Sequence, residues 1–188
     1  MIEASAPKPF KATRFRVIAA IAVAVAVAFV VWLVARPGDN SSKTSSSRTE
    51  PVAASVSDLA GVAGSLKHQL YWVGQKAGFT YELTKGKSGN TWVRYLPNGT
   101  QIGDTRANFL TVGTYPEKNA FQNVQAATKR KGAVAVTTPN GGAAVQYTQR
   151  PSSIFVAYPG SNLLIEVFDP SPQTARAVVT SGALRSIG

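Results

Sequence analysis

Val17 to Ala35 is a run of 19 residues with no charge and no strongly polar side chain. As a helix it is about 28 Å long, close to the roughly 30 Å hydrocarbon core of a bilayer. The Ala-Val alternation from Ala22 to Ala28 has the period of a strand. Both alternating residues are apolar, however, so no polar face is defined. A lone strand in lipid would also leave its backbone groups unpaired, whereas a helix pairs them internally. The run is longer than the apolar core of a signal peptide. Leu33 stands where a small residue would precede a cut after Ala35, and Pro37 follows closely. The pattern predicts an uncleaved transmembrane helix over residues 17–35, contacting the lipid bilayer. Lys8, Lys11, Arg14 and Arg16 concentrate charge in the leading tail, residues 1–16. That places the tail in the cytoplasm and the rest outside.

The pattern changes at Arg36. Residues 36–51, "RPGDNSSKTSSSRTEP", contain no residue of the aliphatic or aromatic class. Such a segment buries too little surface to offset its ordering entropy, so residues 36–56 are expected to form a flexible tether. A domain over residues 57–188 follows. Ser57-Asp58 is a candidate helix start for "DLAGVAGSLKHQ", with Leu59, Val62 and Leu66 on one side. Strand-like segments come next at 70–73, 79–84, 91–96 and 109–115. In "FTYELT", Phe79, Tyr81 and Leu83 alternate with Thr80, Glu82 and Thr84, the mark of a half-buried antiparallel strand. A helix is expected over 116–132, closed by Lys129, Arg130, Lys131 and Gly132. Strands at 133–138, 143–148, 153–158 and 163–169 and a last helix at 171–187 repeat that order. The two halves therefore read as possible ββββα repeats. The fold class is α+β: an antiparallel sheet of about 7–8 short strands with 2–3 helices on one face.

Composition narrows the chemistry. The absence of cysteine excludes disulfides, thiolate metal sites, cysteine nucleophiles and a lipoprotein anchor. With a single histidine, His68, a zinc site is disfavoured, and no cofactor is indicated. His68 has no Ser or Asp partner at a readable spacing, and reads as a surface or packing residue. Asp58 and Glu117 stand where helix starts favour acids. Glu82 and Glu166 lie on strands and offer the one carboxylate pair for a hydrolase, provided they approach within about 5–10 Å. Gly86-Lys87-Ser88 lacks the upstream glycine and following helix of a phosphate loop, since Tyr81 holds the glycine position. Gly141-Gly142 lacks the spacing of a dinucleotide fingerprint. Asn40-Ser41-Ser42 and Asn98-Gly99-Thr100 match the glycosylation triplet, but turn chemistry explains them as well.

Charge and aromatics remain. Residues 57–188 hold 13 Lys/Arg against 6 Asp/Glu. This excess favours an anionic partner and is also ordinary solubilising charge. Lys85, Lys87, Lys129, Arg130 and Lys131 are the candidate contacts for an anionic partner, an envelope polymer or a lipid surface; an envelope protein is the other candidate partner of the domain. Tyr71, Trp72, Trp92 and Tyr95 are the candidate aromatic binding face, with core and cross-strand packing as the simpler account of the same residues. An exterior location argues against nucleic acid. The sequence thus points to a single-pass membrane protein of bacterial style with a non-enzymatic, extracytoplasmic binding or assembly domain at the cell envelope. The alternatives are an envelope hydrolase using scattered carboxylates and an inverted topology with a cytoplasmic domain.

Overall fold

The computed structural model describes residues 49–86 and 88–187; the expected membrane helix, the leading tail and Lys87 lie outside them. Among the described residues no helix is long and apolar enough to cross a membrane. All but Thr105–Ala107 belong to one unit, an α+β fold. Its strands are β1 (Val52–Ala54), β2 (Leu70–Trp72), β3 (Phe79–Lys85), β4 (Thr91–Pro97), β5 (Thr111–Pro116), β6 (Ala133–Ala135), β7 (Ala143–Tyr147), β8 (Arg150–Ala157), β9 (Leu163–Phe168) and β10 (Arg185–Ile187). The helices are α1 (Val56–Ser65), α2 (Ala120–Ala127) and α3 (Pro172–Thr180).

Eight strands form one sheet in the order β1-β3-β4-β5-β9-β8-β7-β6, and β10 pairs with β2 in a separate ribbon. Every pairing is antiparallel. Side chains alternate between the two faces of the sheet. Tyr81, Leu83, Val93, Tyr95, Val112, Ile154, Val156, Ile165 and Val167 point to one face. There they form a core with Leu59 and Ala63 of α1, Ala175 and Val179 of α3, and the β2–β10 ribbon. Tyr95 fastens the ribbon: its hydroxyl accepts from the Val73 amide (2.9 Å) and donates to the Gly74 carbonyl (3.0 Å). Burial holds that phenol well above its usual range.

Trp92, Leu96, Tyr115, Val145, Phe155 and Leu164 are also buried but stand outside that core, on the opposite face. Helix α2 packs on β7, β8 and β9 from this side through Ala120, Val124 and Ala127. The expectation of helices on one face is therefore corrected. The sheet is sandwiched, because both of its faces are apolar. The same fact bears on the apparent repeat. Each half does supply a three-stranded meander followed by a helix, and β5 and β9 meet at the centre. A two-fold relating two antiparallel strands runs through the sheet and keeps each face on its own side. It cannot carry α2 onto α3, so the halves are not symmetric copies.

The β4–β5 connection is bonded to this face through Glu82 and Arg94. Arg94 Nη1 donates to Glu82 Oε1 (2.6 Å) and Nη2 to the Asp104 carbonyl (2.8 Å), while the Gly103 amide donates to Glu82 Oε2 (2.6 Å). The guanidinium lies 5.0 Å from the Phe109 ring centroid.

One row of side chains crosses six strands on this face: Thr84, Trp92, Gly113, Glu166, Phe155 and Val145. Glu166 sits at its centre. Ser153 donates to its Oε1 (2.8 Å) and Tyr115 to its Oε2 (2.8 Å); Trp92 Nε1 donates in turn to the Tyr115 hydroxyl (3.0 Å). The relay requires Gly113. A Cβ there would lie 2.5 Å from the Tyr115 oxygen, so only glycine lets the ring fold over its own strand toward Glu166.

Element ends differ from expectation in several places. Ser55 caps α1 instead of Ser57-Asp58, in a reciprocal box with Asp58, and the helix stops at Ser65. Pro116 still pairs with Leu163, which delays α2 to Ala120. The last helix ends at Thr180, and Arg185–Ile187 instead cover the edge of β2. Val52–Ala54, at the end of the expected tether, pair with β3.

Two substitutions test the relay. Tyr115→Phe removes a donor from Glu166 and an acceptor from Trp92, and should cost about 1–3 kcal/mol in denaturant unfolding. Burial raises the Glu166 carboxyl above its usual range, against the opposing effects of Ser153, Tyr115 and Arg150. A raised folded value means stability is full below the ordinary carboxyl range. It is lost as pH rises, because the unfolded chain ionises first. Glu166→Gln should therefore match the parent at low pH and gain on it steadily toward neutral pH. A variant that instead loses ground as pH rises would show that the buried carboxylate is ionised. Glu117, also raised by burial, contributes the same sign in both proteins.

Candidate functional site

The strand ends on the core face converge on an open groove of about 940 Å³. Four segments distant in sequence build it: Ser65–Gln69 between α1 and β2, Ser88-Gly89 in the β3–β4 turn, Pro116 at the end of β5, and Tyr158–Leu163 in the β8–β9 turn, with Tyr71 beneath. Each segment is placed by register. Lys85 pairs with Thr91, Thr91 with Thr114, and Pro116 with Leu163, so these turns share one end of the sheet.

Tyr71 and Tyr158 stack at the base, with ring centroids 5.7 Å apart and planes within 13°. Burial raises both phenols. The Tyr71 hydroxyl donates to Gln69 Oε1 (3.2 Å), and its amide donates to Thr114 Oγ1 (3.1 Å). His68 closes one wall. Its Nε2 lies 2.9 Å from the Gly89 carbonyl oxygen and its Nδ1 2.8 Å from that of Gln69. A neutral imidazole carries one N–H and serves one of these acceptors at a time, whereas the imidazolium serves both. Across the groove, the Asn162 carbonyl accepts from the Glu117 amide (2.8 Å) and its Oδ1 from the Asn119 amide (3.1 Å). These bonds tie the β8–β9 turn to the start of α2.

The lining offers hydroxyls and amides from Ser65, Gln69, Ser88, Ser161 and Asn162, a cation from Lys67, and no carboxylate. Glu117 is near but buried, with Oε1 accepting from Asn123 Nδ2 (2.7 Å). The groove can therefore hold a polar or anionic group by hydrogen bonding. It has no acid pair with which to hydrolyse one.

The candidates named from sequence are dispersed. Of the four aromatics, Tyr71 borders the groove, Trp72 and Tyr95 lie in the core beside it, and Trp92 lies on the opposite face; all four are buried. Lys85 is exposed at the groove end of β3. Lys129, Arg130 and Lys131 are exposed beside β6 and β7, at the other end of the sheet. Five inter-strand spacings separate β3 from β7, about 24 Å, so these cations form no single patch. Glu82 and Glu166 share a face but stand three strands apart, about 14 Å, beyond the span of a glycosidase pair. Among the described residues no group of acids and histidine could hold a metal. Tyr158, Ser161 and Asn162 were not singled out from sequence. Their signal was the "PGSN" turn following an aromatic strand end.

Comparison with known protein families, curated proteins and solved structures finds no match, and none points to an enzyme. The groove itself is the basis for a functional reading.

Gly89 is the sensitive point of that wall. It has φ +81°, and a Cβ would meet His68 Nε2 at 3.2 Å and Pro116 Cγ at 3.3 Å. Gly89→Ala should cost about 1–2 kcal/mol and shift the imidazole resonances of the chain's single histidine. Unchanged His68 resonances would mean that the turn and the ring are not coupled.

Proposed function

We propose that this protein is a single-pass, membrane-anchored binding module of the cell envelope, non-enzymatic, with its domain outside the cytoplasm and the groove as its binding site. One observation carries the reading. The groove is an open, carboxylate-free site with hydrogen-bonding side chains from three separate segments over an aromatic base. Concave sites of mixed apolar and convergent polar lining are where ligands bind. The carboxylates a hydrolase would use are instead engaged elsewhere: Glu82 with Arg94 and Gly103, Glu166 with Ser153 and Tyr115. The apolar run at 17–35 and the basic tail before it support the anchor and its direction.

Because the chain has no cysteine, single introduced thiols report location directly. Ser161→Cys in the full chain should react with a membrane-impermeant maleimide on intact spheroplasts. Ala4→Cys in the leading tail should react only after lysis. The reverse pattern would establish the inverted topology and overturn the extracytoplasmic reading.

A further inference from the structure

The groove and the entry of the tether lie at the same end of the sheet. Thr49 is bonded to the last residue of β3: its amide (2.8 Å) and hydroxyl (2.9 Å) donate to the Lys85 carbonyl. Lys85 opens the turn that carries Ser88 and Gly89 into the groove wall. Only 13 residues, 36–48, separate the apolar run from Thr49. Treated as a flexible chain they span roughly 20 Å r.m.s.. That reach would put the groove end within range of the surface of a bilayer spanned by residues 17–35.

The charges there are of one predominant sign. Lys67, Lys85 and Lys118 are exposed at this end, with Glu50 the exposed acid beside them; Glu117 is buried. Lys118 follows the strand end at Pro116 and precedes α2, whose start is bonded to Asn162. The turns at 137–142 and 158–162 add polar and glycine residues but no charge. The groove rim thus presents lysines around neutral hydroxyls and amides, the complement of phosphate-bearing headgroups. Lys129 and Lys131 lie at the far end and would face away.

We infer that the groove end docks on the anionic surface of the bilayer that anchors the chain, with lipid headgroups as the groove's ligand. This rests on the proposed membrane-anchored binding module and names its partner. Electrostatic attraction near an anionic surface amounts to roughly fivefold in partitioning per lysine.

The test uses the full chain in vesicles of phosphatidylcholine alone or mixed with phosphatidylglycerol, with an energy-transfer acceptor on a trace headgroup-labelled lipid. A donor dye is placed on Asn140→Cys, in the exposed turn at the groove end but outside the lining, or on Asn98→Cys in the turn at the opposite end. Transfer from Asn140 should rise in the anionic vesicles and that from Asn98 should not. The rise should disappear as salt shortens the screening length from about 10 Å at 0.1 M to about 3 Å at 1 M. Lys67, Lys85 and Lys118 changed together to Gln should weaken docking roughly a hundredfold. Lys129→Gln with Lys131→Gln should leave it unchanged. Equal transfer from Asn140 in both vesicles overturns the inference. So does a rise that ignores salt and the three lysines, or one abolished by the Lys129/Lys131 pair. This readout is independent of which side the domain occupies in the cell. Its failure, with Ser161→Cys still labelled from outside, would remove the lipid partner and leave the outward module standing.

Discussion

A carboxyl group held in the middle of a sheet needs partners on every side, and Glu166 draws them from three other strands. Ser153 comes from β8, Tyr115 from β5, and Trp92 of β4 completes the chain of donors behind Tyr115. The row in which Glu166 sits joins the meander β3-β4-β5 to the meander β7-β8-β9. Apolar packing alone tolerates a slip of register; a relay with fixed donor and acceptor positions does not. The registration of β5 against β9 in turn brings Pro116 opposite Leu163. That pairing sets the β8–β9 turn beside the end of β5, which is where the groove forms.

The two layers on the sheet have different relations to that groove. On the core face, α1, α3 and the β2–β10 ribbon leave the strand ends uncovered between Gln69 and Tyr158, and the stacked tyrosines line the gap. On the other face, α2 packs on the sheet and the β4–β5 connection is bonded to it through the Glu82–Arg94 pair. Helix α2 begins at the groove end, yet it reaches the groove only through the bonds of Glu117 and Asn119 to Asn162. The groove thus opens at one end of the core face, and Thr49 is bonded at that same end.

Much of the strand order was legible. The six central strands appear within a few residues of their expected places because each is a short segment rich in apolar and β-branched or aromatic residues between turn residues. The three-residue strands β1 and β10 were not legible. "RSI" continues a helical pattern in sequence and becomes a strand only because β2 offers an unpaired edge. The face taken by α2 was hidden as well. The strands β8 and β9 are apolar on both faces, so alternation could not say which face a helix covers. Tyr71, Trp72, Trp92 and Tyr95 crowd neighbouring expected strands, a pattern that fits a binding face and, more simply, core and cross-strand packing; all four are buried. Their burial follows from layers on both faces, which the sequence does not display. The groove was illegible for a different reason: its residues lie up to 98 positions apart, from Ser65 to Leu163, and meet through register.

The central claim is that the end of the sheet where Thr49 is bonded to β3 is the end that binds. Hydrogen–deuterium exchange of the full chain in neutral and in anionic nanodiscs tests it without a label or a substitution. Backbone amides of residues 66–69, 88–90 and 160–162 should exchange more slowly in the anionic discs and recover at high salt, while those of residues 129–132 stay the same. Unchanged exchange at the three groove segments, or slowing confined to residues 129–132, would contradict the account.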